Sequence, residues 1–540
     1  MSSAHVDTLI RDGLPPPDRQ PEFLFDLPEL QYPPRLNAAV ALIGSGDRDR
    51  PALVNDSGSW SYAELDVLSD RIARLLAEDE GLVPGNRVLL RGCNGAMLFA
   101  AWLGVLKAGG IVVATMPMLR AREIETVLAR ARVSHAVVDS RYLADFNEAA
   151  ATAPDLRCVL TYDGDAGTGA LERRLAGVAA GFPAVETASD DVALVAFTSG
   201  TTGRPKGCVH FHRDVLAPAD TFARHLLKPR PEDRWLCSAP IAFTFGLGMS
   251  LIFPWRFGGT AVTVEQPSPQ HLLDAVGRFG ATTLATAPTA YKAMLPLLPG
   301  ADISSLRTCV SAGEHLPAAT WHAWREATGL ALIDGIGATE MMHIFIAAAG
   351  DDIRPGATGR AVPGYVAAVL DEANRPLESG TGRLAVKGPT GCRYFDDERQ
   401  ADYVVEGWNV TGDTFRADGE GYFWYLARSD DMIVSGGYNI AAPEVEEALL
   451  AHPAVQECAV IGVPCEERGQ KVKAFVVPVG GQSPDAAFAR ALQDHVKATI
   501  APYKYPREVE FVAALPRTVT GKLQRFSLRN GATVDGERQG

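Results

Sequence analysis

The chain has 540 residues, and at about 150 residues per domain that length accommodates three or four cores, none of which needs a disulfide or metal staple. Apolar residues make up 47% and charged residues 21%, a balance that excludes wholesale disorder. With 51 Lys+Arg against 65 Asp+Glu the formal charge is −14, which excludes a broad nucleic-acid face but leaves room for a small anion held by a few local donors.

The N-terminus, MSSAHVDTLIRDGLPPP, lacks a basic start followed by an apolar core, so no signal peptide and a cytoplasmic location are expected. Amphipathic spacing predicts helices near 61–77, 121–132 and 270–279. Apolar β-branched runs predict buried strands at Val88–Leu90, Ile111–Ala114, Ala136–Val138 and Ala261–Val264. This alternation points to an α/β fold, with layered sheets and helices in a large N-terminal domain. The stretch Ala96–Leu119 has the length of a membrane span. Lys107 near its middle and Gly109-Gly110 after it argue instead for a buried helix, a glycine stop and a buried strand. The 8 cysteines show no Cys-x-x-Cys spacing and read as free thiols, not as a zinc site or a disulfide framework.

The strongest local motif runs from Thr198 to Gly207, Thr-Ser-Gly-Thr-Thr-Gly-Arg-Pro-Lys-Gly, directly after an apolar strand at Val192–Phe197. Its glycines let backbone amides approach an anion closely, Thr and Ser hydroxyls add donors, and Lys206 adds a point charge. The spacing is not that of a Walker A loop. Farther along, Leu236–Val264 is rich in aromatics and glycine and carries Arg256 as its one charged residue. The segment 430–540 reads as a separate small α+β domain that starts at the charged turn Arg428-Ser-Asp-Asp431. In it, a helix begins at Pro443 and strands occupy Cys458–Val463 and Val472–Val479. A second helix has Ser483 as N-cap and Pro484 as first residue, with Phe488, Leu492, Val496 and Ile500 as its buried face.

The Thr198–Gly207 segment resembles the phosphate loop of the acyl-adenylate-forming enzymes: acyl- and aryl-CoA ligases, peptide-synthetase adenylation domains and luciferases. Further family motifs follow in order. They are Gly335-Ile-Gly-Ala-Thr-Glu340, Thr411-Gly-Asp413, the hinge Arg428-Ser-Asp-Asp-Met-Ile433, and Pro516-Arg-Thr-Val-Thr-Gly-Lys522. Singly each is weak, since a lone Asp, Glu or Lys in such strings is an ordinary turn or helix-start residue. Their order over nearly the whole chain is specific. Ala242-Phe-Thr-Phe-Gly-Leu-Gly248 and Asp334–Phe345 resemble the benzoate- and 2-aminobenzoate-CoA ligase branch most.

The resemblance implies ATP, Mg²⁺ and coenzyme A as cofactors, and an N-terminal adenylation domain, 1–429, closed by the 430–540 lid. It implies that Thr198, Ser199, Gly200, Thr201, Thr202 and Lys206 hold the β- and γ-phosphates. Thr339 would contact phosphate, Glu340 would hold the metal, and Lys522 would contact the carboxylate and α-phosphate during adenylation. Asp413, helped by Arg428, would take the ribose hydroxyls. Gly313, Glu314, Asp334, Gly335 and Ile336 would line the adenine pocket, with Ile336 standing where the family's motif has Tyr. For the second half-reaction, Asp430 would be the hinge about which the lid turns, and Ser435, Gly436 and Gly437 would line the pantetheine tunnel.

In amino-acid-activating members an Asp from the 236–264 region binds the substrate ammonium, and this chain has none there. A charged α-amino substrate is therefore disfavoured. A flat aryl acid suits Ala242, Phe243, Ile336, Gly337 and Met341, with His343 within reach of an ortho substituent. The expected activity is AMP-forming ligation of benzoate, 2-aminobenzoate or salicylate to coenzyme A, with an aryl-acid AMP ligase that passes the acyl group to a carrier protein or a separate transferase as the alternative. No nucleic acid and no membrane are expected as partners, and a homodimer stays open.

Overall fold

The computed structural model describes residues 2–165, 167–198, 205–428, 432–435, 438–465, 469–500, 502–517 and 523–529. The chain forms two compact units: Met1–Ala367 with Ala385–Val410, and Ala368–Leu384 with Thr411–Gly540.

The first unit holds two mostly parallel sheets. One runs, from edge to edge, through Cys158–Tyr162, His135–Asp139, Arg87–Arg91, Ile111–Thr115, Val192–Thr198 and Lys206–Phe211. Its last pair is an antiparallel hairpin in which Thr198 faces Lys206. The other sheet centres on parallel strands Thr260–Val262, Arg234–Cys237, Thr283–Thr286, Thr308–Ala312 and Leu332–Gly337. The last of these pairs antiparallel with Ile344–Ala347. Helices cover the strands, so the strands read as unbroken apolar runs. The expected α/β architecture is present. The strand expected to reach Val264 ends at Val262.

The span-like stretch resolves as anticipated into a helix, Ala96–Lys107, and a strand, Ile111–Thr115. Every residue of that helix is buried. Lys107 is tolerated because its ammonium meets Asp66 at 2.6 Å and Asp70 at 2.7 Å, both on the helix Tyr62–Arg74. Among the described residues no helix is long and apolar enough to cross a membrane.

In the second unit, strands Tyr438–Ala441, Met432–Ser435, Gly469–Pro478 and Val455–Cys465 form an antiparallel sheet, and Glu508–Phe511 adds parallel to Gly469–Pro478. Helices Ala442–Leu450 and Ala486–Thr499 bury Val445, Leu449, Phe488, Leu492 and Val496 in one core with Val460 and Val476 of that sheet. The second helix starts later than its sequence cue. Asp485, not Ser483, is the N-cap, because its carboxylate accepts from both Ala487 N and Phe488 N. Ile500 already has extended backbone and lies past the helix end, although it packs on the same core.

Candidate active site

The phosphate-loop hairpin brings Lys206 to a definite neighbour. Its Nζ donates to the Tyr394 hydroxyl at 3.1 Å and lies 4.6 Å from the centre of that ring. The same hydroxyl donates a short hydrogen bond to Oε1 of Glu340. A directional chain therefore runs from ammonium to phenol to carboxylate. Burial pushes the Glu340 carboxyl up, while the Tyr394 bond and the Lys206 charge act in the opposite sense. Burial, and next the Glu340 charge, raise the Tyr394 phenol, which keeps it a donor.

Glu340 sits on a single 3₁₀ turn, Thr339–Met341, at the end of the strand Leu332–Gly337. Two side chains hold the turn by its carbonyls. His210 Nε2 donates to Thr339 O at 2.7 Å, which fixes its tautomer, and Thr390 Oγ1 donates to Met341 O at 2.8 Å. The next residue, Met342, is fully buried with φ 66° and ψ −34°. His343 N bonds Met341 O across it at 2.8 Å, closing a three-residue γ-turn of the strained, positive-φ kind. Gly337 is where the returning strand approaches: a Cβ there would come within 2.8 Å of the His343 carbonyl carbon and oxygen.

This turn places His343 among rings. Its centroid is 4.6 Å from that of Phe253 and 5.6 Å from those of Phe222 and Phe245. Neither ring nitrogen makes a hydrogen bond of good geometry, and burial, opposed only by the Phe245 backbone, pushes the imidazole down to about 3, so it is neutral. Gly248 leaves the room for it, since a Cβ there would lie 2.4 Å from His343 Cδ2.

Ala242 and Phe243 are half-buried and precede the short helix Thr244–Leu247. Asn94, in the connection between the strand Arg87–Arg91 and the helix Ala96–Lys107, clamps their loop: its Oδ1 accepts from Ile241 N at 2.9 Å and its Nδ2 donates to Ala239 O at 3.0 Å. Arg256, the one charge of this region, turns to the fully buried Asp220, with contacts of 3.1 and 3.0 Å. Arg224 meets the same carboxylate at 3.0 Å, so Arg256 is held in a buried ionic cluster.

Asp334 lies beside Ser311 on the neighbouring strand. Burial drives its carboxyl well up, and its Oδ1 has no hydrogen-bond partner. Gly335 and Ile336 follow on the same strand. Gly313, with φ +91°, and Glu314 follow the strand Thr308–Ala312. Among the expected residues the first unit thus brings together Lys206, Thr339, Glu340, Met341 and His343. In the second unit Asp413 and Arg428 face each other on paired strands, with Arg428 Nη1 donating to Asp413 Oδ1 at 3.1 Å. Ser435 is buried with its hydroxyl unpartnered. Ser199, Gly200, Thr201, Thr202, Asp430, Gly436, Gly437 and Lys522 lie outside the described residues.

Tyr394, Thr390 and Asn94 carry no sequence signal of their own, because their partners are far away along the chain. As a metal ligand, Glu340 fits Mg²⁺, which takes one or two protein carboxylates and fills its shell with water and phosphate oxygens. Among the described residues no group of three or more His, Cys, Asp and Glu could form a closed metal cage.

Residues 44–394 match the family model of the AMP-binding enzymes, and residues 444–522 match that of the AMP-binding enzyme C-terminal domain. The benzoate–CoA ligase of Thauera aromatica is 37% identical over 514 residues, covering 93% of this chain and 97% of the relative. An anthranilate CoA ligase crystallised with anthranoyl-AMP superposes with a TM-score of 0.88 at 34% identity, over 94% of this chain and 99% of that one. A benzoate CoA ligase from Burkholderia xenovorans LB400 superposes with a TM-score of 0.83 at 31% identity, over 91% of this chain and 99% of that one.

Proposed function

The chain belongs to the AMP-binding enzymes, and from that premise we propose that it is an AMP-forming ligase that joins an aromatic carboxylic acid to coenzyme A. The observation that carries the substrate class is the cage around His343. Three phenylalanines surround a neutral imidazole, and Arg256, the one charged residue of the 236–264 segment, is bound to Asp220. A flat uncharged ring is matched there, whereas an α-ammonium group would be left unpaired. The His343 nitrogens supply a donor and an acceptor for an ortho amino or hydroxyl group, which supports 2-aminobenzoate or salicylate beside benzoate itself.

In the reaction, a carboxylate oxygen attacks the α-phosphorus of ATP and pyrophosphate leaves, giving an aryl-adenylate. The thiol of coenzyme A then attacks the acyl carbon, its proton is lost, and AMP departs. The hard part is charge, since an anion must approach a polyanion. Lys206 and the Thr198–Gly207 loop would hold the outer phosphates, Thr339 would add a contact, and Lys522 would meet the charge at the α-phosphate. Mg²⁺, when bound, neutralises phosphate charge, and Glu340 is the residue that would hold it. Asp413 with Arg428 would take the ribose and Asp334 the adenine edge. We carry forward the division of labour between residues 1–429 and 430–540, in which Lys522 gives way before the thiol step, with Ser435, Gly436 and Gly437 lining the thiol's path.

The test is ATP–pyrophosphate exchange with benzoate, 2-aminobenzoate, salicylate and a medium-chain acid, followed by a thioester assay with free coenzyme A. Exchange with an aryl acid and thioester formation are expected. No exchange with any aryl acid overturns the substrate class, and exchange without thioester overturns coenzyme A as acceptor.

A further inference from the structure

Two groups that the proposed reaction assigns to different parts of the metal–nucleotide complex meet at one phenol. Lys206, for the outer phosphates, donates to the Tyr394 hydroxyl at 3.1 Å, and that hydroxyl donates to Glu340, for the metal. We propose that Tyr394 is a positioning residue that sets the Lys206 ammonium and the Glu340 carboxylate in one register for the metal–nucleotide complex. This rests on the reading of Lys206 and Glu340 given above.

The surroundings of Tyr394 are built to hold a hydroxyl at one point. Its backbone pairs with the phosphate-loop strand: Val209 N donates to Arg393 O at 2.8 Å, and Phe395 N donates to Gly207 O at 2.9 Å. Its own N donates to Gln400 Oε1 at 2.9 Å. Arg393 next to it is clamped between the rings of Phe23 and Phe211, 4.1 Å from each centroid, and bonds Asp214 at 2.7 Å. Thr390, on the same segment, takes the carbonyl after Glu340. One segment therefore grips the metal turn twice, through Thr390 and Tyr394, and the phosphate strand along its backbone. A phenylalanine at 394 would keep the ring, its contact with the Lys206 ammonium and its edge packing on Tyr403. It would remove only the oxygen through which the two charged groups are joined.

The experiment uses the full-length protein and Tyr394→Phe. ATP affinity is measured by calorimetry with and without Mg²⁺, alongside steady-state adenylation and the unfolding temperature. The expected result is an unfolding temperature within a few degrees of wild type and MgATP binding weakened about tenfold. Lost hydrogen bonds to charged groups have that effect. The KM for aryl acid should stay unchanged. A double variant with Glu340→Gln should add little to the defect of Glu340→Gln alone, since both act on one unit. MgATP binding equal to wild type, or an equal rise in both KM values, overturns the proposal. Glu340→Gln separates the two layers. If it adenylates normally, the underlying assignment of Glu340 fails. If it is inactive while Tyr394→Phe is normal, only the role of Tyr394 fails.

Discussion

Gly248 lies so close to His343 that a methyl group on its Cα would stand 2.4 Å from Cδ2 and 2.6 Å from Nε2 of the imidazole. No side chain but hydrogen lets the ring keep its place. Gly248→Ala is therefore expected to displace His343 within its phenylalanine cage and raise the KM for aryl acid about tenfold, the cost of an overpacked pocket. The KM for ATP should barely move. Pyrophosphate exchange at varied acid and varied ATP checks this, and equal KM values for wild type and variant would remove His343 from the substrate pocket.

Acid should expose the same imidazole. Its proton affinity falls from the ordinary 6.5 to about 3 on folding. The unfolded chain therefore binds a proton that the folded chain refuses. Stability is full above pH 6.5 and is lost progressively as the pH drops toward 3, with about 2 kcal/mol gone at pH 5 from this residue alone. His212, pushed down to about 3, and His315, pushed down to about 4, act in the same direction. Replacing His343 with Phe should flatten the fall in unfolding temperature between pH 7 and pH 5. An unchanged slope would contradict the neutral assignment.

Lys107→Met should destabilise the first unit by about 3 kcal/mol, because it leaves Asp66 and Asp70 facing a buried methyl group. Activity per folded molecule should persist, since this pair lies on helices outside the proposed site. Denaturant unfolding followed by an activity assay in the absence of denaturant distinguishes the two effects.

Asn94→Ala removes both bonds that fix the loop Ala239–Ile241 ahead of Ala242 and Phe243. The expected outcome is an aryl-acid KM raised about tenfold, from two lost hydrogen bonds, with ATP kinetics close to wild type. The ranking of benzoate against ortho-substituted acids should also change. A variant with the wild-type ranking would show the loop to be held by its own packing.

Much of this architecture is legible from the chain because it is local. Apolar runs became the parallel strands, and the lysine inside Ala96–Leu119 marked a helix–strand boundary. The anion-binding string fell at a strand end, with Thr198 and Lys206 facing each other. What was not legible is either topological or a contest between neighbours. Tyr394 lies 188 residues from Lys206 and 54 from Glu340, a distance that no periodicity spans. Asn94 lies 145 residues from the loop carbonyl it holds. Ser483 and Asp485 are both capping residues, and the charged carboxylate, able to serve two amides at once, won. Motif order named Glu340 without revealing that Thr390 and His210 carry the turn on which it sits.

Met342 gives that turn a further meaning. Given the proposed roles, the ring subsite at His343 and the phosphate-facing carboxylate at Glu340 are joined by a ruler that neither stretches nor folds. The chain between them is already bent into a strained γ-turn and pinned by its carbonyl to Thr390. An acid with one more methylene between ring and carboxyl would deliver its reacting oxygen at the wrong depth. Such a substrate would seat its ring and fail at the phosphorus, so this ruler would select substrates by rate and not by affinity.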